Sequence, residues 1–273
     1  MISIPPSFHE LCRELRDQII QTHQKNQRLK TTLTGQAEWI TDLDIYVDQT
    51  IRSYLHATFP SIPVISEETT SQSTIHEAYD AFFTLDPIDG TRELIKGTGD
   101  FAFALAYIET GQPQTCAVYF PMRDEYYYTD PSTPPQCNQQ QILFPEYSPC
   151  IVLATRIDRW ENIESLLDML KKQLPALSFY YKGAAVTKVV EVILGYAAAY
   201  FYLPHPTEKA KIWDVAAAHG LAERLGLVVT DAWNQPISYQ SYCLTMDQGF
   251  VASHPYIASQ VREVIEAFLR THI

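Results

Sequence analysis

Phe8, Leu11, Leu15 and Ile19 recur every three or four positions in a polar stretch and predict an amphipathic helix from Ser7 to about Gln27. Ser7-Phe8-His9-Glu10 has the S-x-x-E form of a capping box at its start. Lys30 to Glu38 is polar and irregular and contains Gly35. Leu43, Val47, Ile51 and Leu55 predict a second helix, from Thr41-Asp42 to just before Pro60. Pro63 to Ser66 reads as a short strand with Glu67 at its end. Ala81 to Leu85 reads as another, stopped by Asp86-Pro87, with a short helix over Arg92 to Lys96. Phe101 to Ile108 and Gln114 to Phe120 form a hairpin around Thr110-Gly111-Gln112, and Glu125 to Thr129 adds a third strand. Asp130 to Gln141, rich in Pro, Ser and Gln, reads as an exposed loop and a boundary between halves 1–145 and 146–273.

Beyond that boundary strand and helix alternate. Strands are expected over Ile151 to Ala154, Ser178 to Tyr181, Ala197 to Tyr202 and Leu227 to Val229. Helices are expected over Trp160 to Lys172, Ala185 to Leu194, Ile212 to Leu225 and Ala258 to Arg270. The pattern is that of layered α/β organisation. The most apolar stretch, Val189 to Leu203, is short and contains Glu191, so it reads as a buried helix and strand and not as a membrane span.

The 273 residues allow one large domain or two small ones sharing a core. With 32 acidic against 20 basic residues the net charge is −12, which argues against a nucleic-acid polymer or an anionic membrane as partner. It does not argue against a phosphorylated small molecule, because divalent cations invert the field of an acidic pocket. The 5 cysteines are scattered, odd in number and without a CxxC, so a disulfide framework or zinc site is not expected and a reducing cytoplasm fits. Met1 to Pro6 shows no basic segment leading into an apolar run, so no signal peptide is expected.

The chemistry concentrates in Leu85-Asp86-Pro87-Ile88-Asp89-Gly90-Thr91. Two carboxylates stand three residues apart where a buried strand gives way to a helix. Pro87 stiffens the turn between them. Gly90 permits close backbone approach, and the helix start offers N–H groups to an anion. Such an arrangement can hold a hard cation beside a phosphate. A single Asp there would be explained by an Asx turn and a helix cap; the whole string is not. Ser66-Glu67-Glu68, taken alone, suits a solvated turn equally well. Asp214, opening the helix that continues Val215-Ala216-Ala217-Ala218, would alone be read as a cap, and so would Thr41-x-x-Asp44.

Together these segments resemble the inositol monophosphatase-like superfamily of metal-dependent phosphatases. S-E-E, D-P-I-D-G-T and W-D-x-A-A occur in that order, with the fainter T-x-x-D upstream, over roughly Trp39 to Asp231. The resemblance implies an α+β fold, a layered α-β-α-β-α sandwich of the inositol monophosphatase / fructose-1,6-bisphosphatase type. Its N-terminal half would carry most metal ligands; its C-terminal half would carry Asp214 and much of the substrate pocket. It implies Mg²⁺, with Glu67, Asp86 and the carbonyl of Ile88 holding one ion, Asp86, Asp89 and Asp214 a second, and a third binding weakly. Gly90 and Thr91 would bind phosphate through backbone N–H groups, next to Asp89 and Asp214. Thr91 and Asp44 would help activate the attacking water, with Glu67 orienting or deprotonating it. Phosphate monoesters hydrolyse extremely slowly unaided, and paired cations about 4 Å apart activate water and neutralise the leaving oxygen. Lithium sensitivity and a homodimer are further family expectations.

After D-P-I-D-G-T the chain reads Arg92-Glu93-Leu94-Ile95-Lys96-Gly97-Thr98-Gly99-Asp100-Phe101, which is similar to the K-E-F-I-K-x-x-G-E-F continuation of 3′(2′),5′-bisphosphate nucleotidases of the CysQ type. Trp213 to His219 is similar to their W-D-T-A-A-G-H, and Lys188 falls on the Lys of G-S-x-x-K. The substrate so implied is adenosine 3′,5′-bisphosphate, losing its 3′-phosphate. Arg92, Lys96 and Lys188 could meet a second phosphate, although a surface charge on a helix explains Arg92 and Lys96 as well. Departures leave an inositol or sugar phosphate open. Gly183-Ala184 stands for G-S, Gly226-Leu227 for Gly-Gly and Ala218 for a Gly, and Lys30 is only a loose counterpart of an upstream Lys. A binding protein without catalysis is the remaining alternative, opposed by the presence of every expected carboxylate.

Overall fold

The apolar stripes of the first two predicted helices are buried as their spacing requires, apart from Leu11, which is half-buried against the same core. In the computed structural model, which describes residues 2–24, 31–33, 39–70, 77–154, 157, 160–205 and 209–272, α1 spans Ser7–Gln24 and buries Phe8, Cys12, Leu15 and Ile19. The expected helix end at Gln27 lies outside the described residues, as do Lys30 and 34–38. β1 (Thr31–Leu33) and β2 (Trp39–Thr41) pair antiparallel, and α2 (Asp42–Thr58) buries Leu43, Val47, Ile51 and Leu55.

The capping box expected at Ser7 is not formed. Ser7 is already helical and its hydroxyl pairs with Tyr54 Oη at 2.8 Å, while the carbonyls of Pro5 and Pro6 accept the first N–H groups. Thr41 and Asp44 form one instead. Thr41 Oγ1 accepts from Leu43 N and Asp44 N, and the Asp44 carboxylate accepts from Thr41 N at 2.8 Å.

A seven-stranded sheet follows in chain order: β3 (Val64–Ser66), β4 (Ala81–Asp89), β5 (Ala102–Glu109), β6 (Gln112–Phe120), β7 (Glu125–Asp130), β8 (Thr133–Cys137) and β9 (Gln140–Gln141). A 3₁₀ turn, Glu67–Thr69, follows β3, and α3 (Thr91–Lys96) follows β4. Within this sheet, among the described residues, only the β3–β4 pair is parallel. The stretch Asp130 to Gln141 is thus not the loop its composition suggests. Pro134 and Pro135 lack N–H donors, and the β7–β8 register slips beside them, between Tyr128 and Asp130. The Pro135 carbonyl still accepts from Ile142 N at 2.8 Å.

The second sheet comprises β10 (Cys150–Ala154), β11 (Ser178–Lys182), β12 (Ala199–Tyr202), β13 (Val228–Thr230) and β14 (Phe250–Ser253), in the order β11-β10-β12-β14-β13. The helices between and after these strands are α4 (Ile163–Gln173), α5 (Ala185–Ile193), α6 (Ile212–Arg224) and α7 (Ala258–His272). β14 went unread in the sequence. All four of its residues are buried, so it lacks the polar alternation that marks a strand.

Three cores stack these elements as α-β-α-β-α. α1 and α2 pack with the outer face of the large sheet, α5 and α6 fill the space between the sheets, and α4 and α7 close the far side. No helix among the described residues is long and apolar enough to cross a membrane. As the middle layer, α6 is buried nearly all round, and its small residues let it approach β5 and β6. A Cβ on Gly220 would come within 2.3 Å of Cys116 Sγ and 3.1 Å of Pro113 Cβ. Gly220→Ala is therefore expected to lose about 1–3 kcal/mol by overpacking. Thermal melting should show this, with part of the loss recovered by adding Cys116→Ala; an unchanged melting temperature would mean the contact yields freely.

Candidate active site

The site begins with a counting irregularity in β4. In a regular strand Asp86 and Asp89, three positions apart, would face opposite sides of the sheet. Here Asp86 pairs with Ala104 and Asp89 with Ala102, so three steps along β4 match two along β5. That is a β-bulge at Pro87-Ile88. Ala102 and Ala104 belong to the core between the sheets, so both carboxylates turn toward the middle layer, while Ile88 goes into the outer core with α1 and α2. The strand does not stop at Asp86-Pro87, as the sequence suggested, but continues to Asp89.

Each neighbouring group reaches this spot from a different element. Glu67 opens the turn after β3, alongside β4. Asp214 is the third residue of α6, where its Oδ2 accepts from Lys211 N at 2.7 Å. The start of α5 meets Asp89 directly: Ala185 N donates to Oδ1 at 3.0 Å and Val186 N to Oδ2 at 2.6 Å.

Asp86 is 1% exposed, and burial pushes its pKa well above the ordinary carboxylate range. The charges of Glu67, Asp89 and Asp214 push it the same way, and Glu67 hydrogen-bonds to it. Its Oδ1 is buried without a hydrogen-bond partner among the described residues. A buried, crowded carboxylate with an unsatisfied oxygen is costly unless a cation or proton joins it. All donors here are oxygens, which suits a hard divalent metal. Among the described residues no group of three or more His, Cys, Asp or Glu side chains is drawn together as a metal shell. Asp89 and Asp214 spend oxygens on helix N–H groups, but a carboxylate has about four lone-pair sites, so such an oxygen can still bind a cation. The residues present fit a divalent metal.

Thr91 and Asp44, paired on sequence grounds, do meet. Thr91 Oγ1 donates to Asp44 Oδ1 at 2.8 Å and lies 3.4 Å from the Ile88 carbonyl. Burial raises the Asp44 pKa, opposed by hydrogen bonds from Thr41 and Thr91. Gly90 sits between them and the second half of the chain, with φ +99°, and a Cβ there would lie 2.9 Å from Ala184 Cβ and 3.1 Å from the Asp100 carbonyl. The missing hydroxyl at Ala184 therefore falls right beside the D-P-I-D-G-T turn.

Lys188 is placed differently from a substrate-facing cation. It is 2% exposed, and its Nζ donates to the carbonyls of Gly183 and Ala184, both at 2.6 Å. Burial lowers its pKa to about 8 against the raising charges of Asp89, Asp214 and Glu93. It thus fastens the turn that leads into α5. Lys96 pairs with Glu93 at 2.9 Å, and Glu93 packs over Gly183, where a Cβ would meet its Cγ at 2.5 Å.

Sequence reasoning overlooked Asp48, Arg52 and the Ser66 hydroxyl, which are hydrogen-bonded to one another behind Glu67. The signal was available. Asp48 follows Asp44 by one helical turn and adjoins the apolar stripe of α2, a place where a carboxylate needs a buried partner.

A five-layer sandwich with a buried carboxylate cluster facing a helix start, beside a Thr–Asp pair, defines a phosphomonoester-cleaving class of protein. The chain belongs to the inositol monophosphatase family, whose model matches residues 9–266. Over 248 residues it is 27% identical to the 3′(2′),5′-bisphosphate nucleotidase CysQ of Escherichia coli O6:H1, covering 89% of this chain and 97% of the relative. It is 25% identical over 226 residues to the Nus factor SuhB of Vibrio cholerae, covering 80% and 81%. A solved IMPase/NADP phosphatase complexed with Mg²⁺ and phosphate shares the fold at TM-score 0.73 and 22% identity, with 93% and 92% of the chains covered.

Proposed function

We propose that this phosphatase is Mg²⁺-dependent and removes the 3′-phosphate of adenosine 3′,5′-bisphosphate. The observation that carries the metal reading is Asp86, buried with an unsatisfied oxygen among Glu67, Asp89 and Asp214. Glu67, Asp86 and the Ile88 carbonyl would hold one Mg²⁺, and Asp86, Asp89 and Asp214 a second. Bound there, Mg²⁺ supplies a water of lowered pKa and neutralises charge on the ester.

The chain's own groups do the rest. Glu67 accepts a proton from the attacking water. Asp44 holds Thr91 by the 2.8 Å bond, fixing the hydroxyl and the start of α3, whose N–H groups receive phosphate oxygens. Asp89, held by the start of α5, couples the cluster to the C-terminal half. Water oxygen bonds to phosphorus as the bond to the 3′ oxygen breaks, and that oxygen leaves as the 3′-hydroxyl of the nucleoside 5′-monophosphate, taking a proton from solvent in exchange for the one Glu67 accepted and later releases.

The nucleotide is favoured by the Arg92 to Phe101 and Trp213 to His219 strings and by similarity to CysQ along nearly its whole length. Ala184, a methyl beside Gly90 where the nucleotidases carry a hydroxyl, supports a second reading, an inositol or sugar phosphate. Phosphate release from adenosine 3′,5′-bisphosphate and inositol 1-phosphate, each with and without Mg²⁺, separates the two. Mg²⁺-dependent release from the bisphosphate, at least about tenfold (roughly 1.4 kcal/mol) preferred in kcat/KM, is expected. Preference for the inositol ester would replace the substrate and keep the site.

A further inference from the structure

α2 carries Asp44, Asp48 and Arg52 at four-residue intervals, one above another on the side it turns to the sheet. Asp44 reaches Thr91, just past the end of β4. One turn on, Asp48 is 2% exposed and has both oxygens engaged: Oδ1 accepts from Ser66 Oγ, and Oδ2 from Arg52 Nε at 2.8 Å. Ser66 is fully buried and immediately precedes Glu67.

β3 has three residues and, among the described residues, stands at the sheet's edge and pairs with β4 alone. Its last registered pair is Ser66 with Leu85; beyond it Glu67 turns away into the 3₁₀ segment. An Asp–Arg pair one helical turn apart needs no burial to form and is worth little on a surface. Sinking the Asp48 carboxylate under the sheet edge is costly unless the bond it makes there matters.

We infer that Asp48, braced by Arg52, is a positioning residue that aims Glu67 at the carboxylate cluster by gripping Ser66; this rests on the metal reading above. α2 is then one strut serving two strand ends, Asp48 for Glu67 and Asp44 for Thr91. Removing a group that orients a metal's ligands typically costs about 10–100-fold in metal affinity or activity.

The test is Mg²⁺ binding by calorimetry without substrate, together with the half-saturating Mg²⁺ for hydrolysis, in wild type, Ser66→Ala, Ser66→Thr and Arg52→Gln. Ser66→Ala is expected to bind Mg²⁺ about tenfold more weakly and Arg52→Gln less so, while Ser66→Thr stays within about twofold of wild type. KM for the phosphoester is expected to stay put in all three. Wild-type Mg²⁺ binding by Ser66→Ala overturns the inference, as does a loss that Ser66→Thr fails to recover, since that reports packing and not the hydroxyl. Arg52, partly exposed, gives a variant that does not disturb the core, and unchanged Mg²⁺ binding there counts against the brace. A wild type that binds no Mg²⁺ overturns the metal reading itself, and this inference with it.

Discussion

Asp86→Asn is expected to cut Mg²⁺-dependent phosphate release by about 10²–10³-fold, the scale on which removing one electrostatic group at a reaction centre acts. The same change should steady the metal-free protein. Folding places the Asp86 carboxyl in a dry, acidic corner, so it holds its proton more tightly folded than unfolded. Its contribution to stability is therefore present below the ordinary carboxylate range and is lost as pH rises through the raised value. An amide carries no charge to lose. Metal-free Asp86→Asn should thus melt above metal-free wild type near neutral pH, by about 2–4 °C for each kcal/mol of relieved repulsion, with the two curves converging toward pH 4. Added Mg²⁺ should raise the wild-type melting temperature and leave the variant nearly unmoved. Melting curves from pH 4 to 8 with and without Mg²⁺ decide the matter; a variant that still gains stability from Mg²⁺ would show that Asp86 is not where the cation sits.

Thr91→Val is the second large effect. Valine keeps the shape and removes the hydroxyl that donates to Asp44. A fall in kcat of about 10²–10⁴ is expected, the range for groups that move or hold a proton in the transition state, with KM little changed. The pH profile carries a sharper signature. Burial already raises the Asp44 pKa, and the Thr91 bond is one of those opposing it. Without that bond the carboxyl holds its proton to higher pH, so the acid limb of kcat should move upward. Thr91→Ser, which keeps the hydroxyl, should restore both rate and limb. Loss of rate with an unmoved acid limb would remove Asp44 from the reaction.

Most of the architecture could be read from periodicity, because amphipathic helices such as α1 and α2 write their burial into the sequence. Two of the strands that could not be read, β14 and β8, show why. β14 is buried on both faces, and β8 carries prolines whose missing donors fall at a register slip, so neither displays the pattern its conformation implies. In the site, short strings pointed to Asp86, Asp89 and Thr91, since turn chemistry compresses those residues together. They could not place Lys188, because a helix position says nothing about which carbonyls lie within reach, and here those of Gly183 and Ala184 take its Nζ. Asp48 escaped for a similar reason: its partner Ser66 is 18 residues away.

The bulge in β4 also sets what sequence drift this protein can absorb. The two aspartates share a face through parity, one extra residue converting an odd spacing into an even one on the partner strand. Side-chain exchange at Ile88 touches only the outer core, and another apolar residue of similar volume could serve there. Deleting Pro87 would leave the aspartates two positions apart, an even spacing that keeps the same partners on β5 and the same face in a regular ladder, whereas losing the bulge at the present length would send them to opposite faces. Descendants of this segment must inherit an even count of paired steps between the carboxylates, by a bulge at this length or by a regular strand one residue shorter.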